Sequence, residues 1–113
     1  VLCLPGSHSK WVRVGAGEVV AFRTFMTGEL YAAIGAGTVL RHSLAGEGWD
    51  GAAFAAALAE GIARPEALAS RLFAIRAESL LTGLSPAAAR ARLSGLLIGA
   101  ELQAARGWWL GQR

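Results

Sequence analysis

Val1-Leu2-Cys3-Leu4-Pro5-Gly6-Ser7-His8-Ser9-Lys10-Trp11-Val12-Arg13-Val14-Gly15-Ala16-Gly17 opens the chain with two short apolar runs, one glycine turn between them and a second after them. Val1 to Leu4 reads as a short buried strand, ended at once by Pro5-Gly6. From Lys10 to Val14 a period of two puts Trp11 and Arg13 on one side and Val12 and Val14 on the other. Gly15-Ala16-Gly17 supplies the positive φ that a hairpin turn needs, so Glu18 to Phe25 returns as a third strand. This order predicts an antiparallel three-stranded meander, and with the helices that follow it an α/β fold.

The first bend of that meander, Pro5 to Lys10, has the composition of a phosphate loop. Gly6 lets the backbone turn sharply and approach a ligand, and successive amides in such a turn form a concavity that suits anions. Ser7 and Ser9 add hydroxyl donors, and Lys10 adds a compact positive charge. His8 either donates to a phosphate or holds the loop's shape through a backbone contact. The same residues also make an ordinary strand-to-strand turn. The P-loop pattern is absent, because its lysine opens a helix and Lys10 opens a strand.

Thr27 is placed to cap a helix over Glu29 to Ile34, with Gly28 allowing the turn and Glu29 complementing the helix dipole. Gly35 to Trp49 is rich in glycine and reads as a loop or lid; His42 within it has no ligand partner at metal spacing and is expected in solvent. Asp50 caps a helix to about Ala63, with Phe54, Leu58 and Ile62 four apart on one face. Pro65 opens the next helix, which runs to about Leu81 before Gly83. Arg76 falls inside its apolar stripe, so it needs an ion-pair partner or reaches a cleft. Ser85-Pro86 caps the last helix, whose Leu93, Leu96, Leu97 and Ala100 face a core. Gly95 and Gly99 stack on one face of it, which calls for a close approach by backbone or ligand. Trp108 and Trp109 mark an exit towards another strand.

Three blocks then carry a resemblance. Pro5-Gly6-Ser7-His8-Ser9-Lys10-Trp11-Val12, Phe22-Arg23-Thr24-Phe25-Met26-Thr27-Gly28-Glu29-Leu30 and Ser94-Gly95-Leu96-Leu97-Ile98-Gly99-Ala100-Glu101 resemble, in this order, the 2-dehydro-3-deoxygalactonokinase family. Ser7 departs from the family's usual threonine but keeps the hydroxyl. The family belongs to the superfamily of sugar kinases and actin-like ATPases, which bind ATP between two lobes. The resemblance implies that residues 1–113 are part of the second, C-terminal lobe. The full protein would then use ATP and Mg2+ to phosphorylate the terminal hydroxyl of the sugar acid 2-dehydro-3-deoxygalactonate. It further implies nucleotide contacts from Gly6, Ser7, His8, Ser9 and Lys10, from Thr27 and Gly28 at the start of a helix, and from Gly99, near which the superfamily holds the adenine. The catalytic base and most sugar contacts are expected before residue 1, so no catalytic residue is named.

At 113 residues the chain has room for one modest core, and its start at Val1, inside an apolar strand, reads as a piece of a longer protein. With 54% hydrophobic and 17% charged residues, it carries more apolar surface than one small core covers, so an exposed face is expected to meet the rest of the kinase or another copy. The net charge of +3 invites a nucleic-acid reading. The ten arginines are, however, spread singly along the chain, and no nucleic acid is expected. Cys3 is alone and expected in the core, with neither disulfide nor metal spacing. No uncharged run approaches the ~20 residues of a membrane span, and a cytoplasmic enzyme is the expectation. Two rivals stay open: an inactive fragment that self-associates, and a non-catalytic ATP-binding member of the superfamily.

Overall fold

The expected meander forms, and its register sorts the strands' side chains onto two faces. The computed structural model describes residues 1–110. Strands β1 (Leu2–Leu4), β2 (Ser9–Gly15) and β3 (Glu18–Phe25) make one antiparallel sheet in the order β1-β2-β3. Leu2, Val12 and Phe22 lie abreast on the outer face, and Cys3, Trp11 and Arg23 on the inner one. The outer face is mostly uncovered: Leu2 and Leu4 are each 54% exposed and Phe22 65%. All of β1 is exposed, including Cys3. The buried first strand expected above is therefore an edge strand, because among the described residues nothing pairs with its second side.

The β2–β3 hairpin turns on two residues, Ala16 at φ 54° and Gly17 at φ 79°. Two successive positive φ values are the signature of a type I′ turn, whose twist matches the strands it joins. Gly17 takes this freely, but Ala16 holds a left-handed conformation that crowds its Cβ. Ala16→Asn, the residue such turns favour, is expected to stabilise the fold by about 0.5–1 kcal/mol. Thermal unfolding would read this as a higher midpoint; an unchanged or lower one would show that the turn carries no strain.

The helices are α1 (Thr27–Gly37), α2 (Arg41–Leu44), α3 (Gly51–Ala63), α4 (Leu68–Leu81, entered through a 3-10 turn at Pro65–Ala67), α5 (Pro86–Ala104) and α6 (Arg106–Trp109). Asp50 and Ser85 cap as predicted, accepting from Ala53 N–H at 3.0 Å and Ala88 N–H at 3.1 Å. Thr27 does not cap: it is the first helical residue, the cap position is Met26, and no side chain bonds there. Of the Gly35 to Trp49 stretch, residues 45–49 form the expected loop, but the part before it is packed and not a lid. Gly35 and Gly37 end α1, and Leu40 and Leu44 are buried in the core beside Ile75, Leu93 and Leu96. Arg90 then ties the following turn to α5 by donating to the carbonyls of Leu44 and Gly48 at 2.6 and 2.5 Å. His42 is exposed, as expected.

Helix α5 is the axis of the molecule. It buries Ala88, Ala89, Ala91, Leu93, Leu96 and Leu97, and it packs against α3 through small residues, Ala57 and Gly61 facing Gly95 and Gly99. Phe54, Leu58 and Ile62, predicted to lead the buried face of α3, are only half-buried. The backbones approach too closely for large side chains between them. Arg76 has no carboxylate partner among the described residues; its guanidinium donates to the Ser43 hydroxyl at 3.3 Å, so a neutral acceptor replaces the expected ion pair. At the end of the described chain, α6 stands where an exit to a strand was expected. Its Trp108 ring lies 4.4 Å under the Arg13 guanidinium, a cation–π contact that returns the chain to the sheet.

Candidate functional site

A cavity of about 340 Å³ lies under the Pro5–His8 loop, between the inner sheet face, the first turns of α1 and the C-terminal half of α5. The loop is seated directly on α1. The Ser7 carbonyl accepts from Glu29 N–H at 3.0 Å, using one of the donors that a helix N-terminus leaves unpaired. Gly28 makes this seat possible: a Cβ there would stand 2.6 Å from the Gly6 carbonyl oxygen and 2.8 Å from Ser7 Cα. His8 Nε2 meets the Glu29 carboxylate at 2.5 Å. The histidine thus holds the loop, one of the two roles expected for it, but through a side-chain partner on α1 and not a backbone contact.

The predicted residues divide. Gly6, Ser9, Thr27 and Gly28 line the cavity; Ser7 and His8 stand on the exposed loop above it. Lys10 lies on the opposite face of the sheet from Ser9, as strand alternation requires. Its ammonium donates to Thr24 Oγ1 at 3.0 Å and sits 5.9 Å from the Phe22 ring centre. Gly99 is elsewhere: it is buried at the α3–α5 contact, where a Cβ would meet the Leu58 carbonyl oxygen at 2.6 Å. The close approach that the stacked glycines called for is made here by the backbone of α3. The amides of Gly6, Ser7 and His8 donate to no backbone carbonyl among the described residues.

The residue that sequence reading missed is Glu101. Its carboxylate lines the cavity and accepts from the Ser9 hydroxyl at 2.7 Å and from Trp11 Nε1 at 2.8 Å. Ser9 was read as a phosphate donor, but its hydroxyl proton is held by a carboxylate and the residue is 5% exposed. Cys3, exposed on β1, also lines this cavity; the partial desolvation of its thiol and then the Glu101 charge push its pKa up, which keeps it protonated and a poor nucleophile. Glu101 had one sequence signal: an acidic residue near the C-terminal end of a long helix, where the dipole disfavours it. Among the described residues there is no group of three His, Cys, Asp or Glu side chains that would hold a metal ion, and no helix long and apolar enough to cross a membrane.

Comparison with known proteins agrees with the three blocks. The family model for 2-keto-3-deoxy-galactonokinase matches residues 1–113. A Rhizobium meliloti (strain 1021) protein named as a probable 2-dehydro-3-deoxygalactonokinase is 45% identical over 109 residues, covering 93% of this chain and 35% of that protein. The 2-dehydro-3-deoxygalactonokinase of Escherichia coli (strain K12) is 40% identical over 108 residues, covering 91% of this chain and 35% of that protein. A crystal structure from Sinorhizobium meliloti, of a protein provisionally named a 2-dehydro-3-deoxygalactonokinase, superposes with a TM-score of 0.91 at 42% identity, over 98% of this chain and 38% of that one. The chain thus spans about a third of the length of the relatives it matches. On the match along its whole length, the chain belongs to the 2-keto-3-deoxy-galactonokinase family.

Proposed function

We propose that this chain is part of the second lobe of an actin-like sugar-acid kinase. The whole protein would transfer the γ-phosphoryl group of ATP to the terminal hydroxyl of 2-dehydro-3-deoxygalactonate in the cytoplasm. In this reading the segment contributes a phosphate-binding loop. The observation that carries it is the seating of Pro5–His8 on the first turn of α1, with the amides of Gly6, Ser7 and His8 left without backbone partners. Such amides, next to a helix N-terminus, form a fixed positive site for a phosphate. Phosphoryl transfer depends mainly on positioning and charge stabilisation, which is what a loop held this way supplies. Ser7 adds its hydroxyl, and Lys10, on its flexible stem, reaches the phosphates from the outer face. Mg2+ would be carried on the nucleotide's own phosphates, with carboxylate contacts from outside this segment.

The exposed outer face of the sheet, with Leu2, Leu4 and Phe22, would be covered by the rest of the kinase. The same face gives a second reading for the isolated segment, self-association in place of activity. Size-exclusion chromatography separates the two: a concentration-dependent dimer of the segment alone, with a monomeric segment face in the full protein, fits burial by the remaining chain.

Calorimetry with ATP and magnesium on the full-length protein tests the loop. Lys10→Ala is expected to weaken ATP binding by about tenfold, the effect of losing one charged contact, with the fold intact because Lys10 is exposed. If neither binding nor turnover changes, Pro5 to Lys10 is only a turn. ATP binding without sugar-acid turnover by the full-length protein would favour a non-catalytic member of the superfamily.

A further inference from the structure

Glu101 stands where a helix does not favour it. It lies near the C-terminal end of α5, where the last carbonyls already gather negative charge. No basic residue occupies that turn, and Glu101 is in none of the ion pairs found among the described residues. What it has instead are two donors from the other end of the sequence, Ser9 Oγ at 2.7 Å and Trp11 Nε1 at 2.8 Å, one on each carboxylate oxygen. Ser9 and Trp11 are two apart on β2, so both side chains leave the same sheet face, and both are 5% exposed. Bonds to a carboxylate are stronger than neutral ones, and exclusion of water strengthens them further.

Their position matters more than their strength. Ser9 is the first residue of β2, so Glu101 fixes the point at which the loop becomes a strand. The loop's other support is α1, through Gly28 and Glu29. Among the described residues the hydrogen bond from the loop's end to α5 is the one from Ser9 to Glu101, and α5 is itself held by Gly95 and Gly99 against α3. We infer that Glu101 is the positioning residue of the Pro5–Lys10 loop, holding the amides of Gly6, Ser7 and His8 in place through Ser9, whose hydroxyl serves Glu101 and not a phosphate. The consequence for ATP rests on the proposed phosphate role of the loop; the positioning does not.

The test uses the full-length protein with Glu101→Gln, Ser9→Ala and the double variant. Glutamine keeps the shape of glutamate but turns an NH2 group towards one of the two donors. Without nucleotide, the amide of Glu29, which donates to the Ser7 carbonyl of the loop, and those of Ser9 to Trp11 at the start of β2 are expected to exchange hydrogen for deuterium about tenfold faster in Glu101→Gln, as for the loss of one charge-assisted bond, while α3 and α4 exchange as before. The KM for ATP rises by a similar factor and kcat stays within about threefold, the pattern of lost binding and not of lost chemistry. Ser9→Ala reproduces both changes, and the double variant is no worse than either single one. Unchanged exchange at these amides overturns the inference, and so does faster exchange throughout the molecule with ATP KM unaltered. If exchange at these amides rises in both single variants while ATP neither protects the wild-type loop nor changes in KM, the phosphate reading fails and the positioning role stands. If Glu101→Gln does not fold, Ser9→Ala, which removes one hydroxyl, carries the same test.

Discussion

Gly99→Val is expected to leave the protein unfolded or insoluble, and Gly99→Ala to destabilise it by about 3 kcal/mol, at the upper end of overpacking costs. A Cβ at Gly99 would stand 2.6 Å from the Leu58 carbonyl oxygen and 2.8 Å from Gly61 Cα, and one at Gly95 would stand 2.7 Å from the Phe54 carbonyl oxygen. These neighbours are backbone atoms of α3, so no rotamer change relieves the clash. The two helices must separate, and separating them opens the packing around Ala57 and Leu96, which are 2% and 1% exposed. Small domains hold only about 5–15 kcal/mol in total, and valine takes most of that. Gly51→Ala is the control. Nothing lies within 4 Å of its Cβ, and alanine is expected to stabilise α3 by up to about 1 kcal/mol. Urea unfolding of the three variants gives the comparison. An adenine contact at Gly99 would show the reverse pattern, with Gly99→Ala stable but weakened towards ATP.

The three strands, the hairpin and the long helices were legible because they rest on local signals: alternation around Trp11, turn glycines, and the Asp50 and Ser85 caps. The misreadings of Thr27 as a cap and of Gly35 to Trp49 as a lid share one cause: each was read from residue type alone and was decided by a neighbour far away in sequence, the loop on Gly28 and Arg90 on the Leu44 and Gly48 carbonyls. At Gly99 the close approach expected of the stacked glycines is made by the backbone of α3. Glu101 belongs with the two misreadings. Its partners Ser9 and Trp11 are 92 and 90 residues away, and no local pattern joins them. Exposure of β1 had a different origin, since apolar Leu2 and Leu4 carry the composition of a buried strand whether or not a covering layer is present.

Gly28→Ala is expected to leave the fold standing and to reduce kcat/KM for ATP in the full-length protein by about a hundredfold, the cost of displacing a binding group by about 1 Å. The added Cβ would lie 2.6 Å from the Gly6 carbonyl oxygen, 2.8 Å from Ser7 Cα and 3.1 Å from the Ser7 carbonyl oxygen. All three atoms belong to the loop, so relief comes from lifting the loop off α1. Lifting it breaks the 3.0 Å bond from Glu29 N–H to the Ser7 carbonyl and draws His8 from Glu29. The core is not touched, because Gly28 lies at the half-exposed start of α1 and no α1 residue is fully buried. Gly99→Ala and Gly28→Ala are thus the same chemical change with opposite signatures, one seen in unfolding and the other in kinetics. If Gly28→Ala lowers activity only as far as it lowers the melting temperature, the seat is structural and the phosphate role of the loop falls. If it spares ATP and raises KM for the sugar acid, the loop serves the other substrate, because a shifted backbone penalises whichever ligand its amides hold.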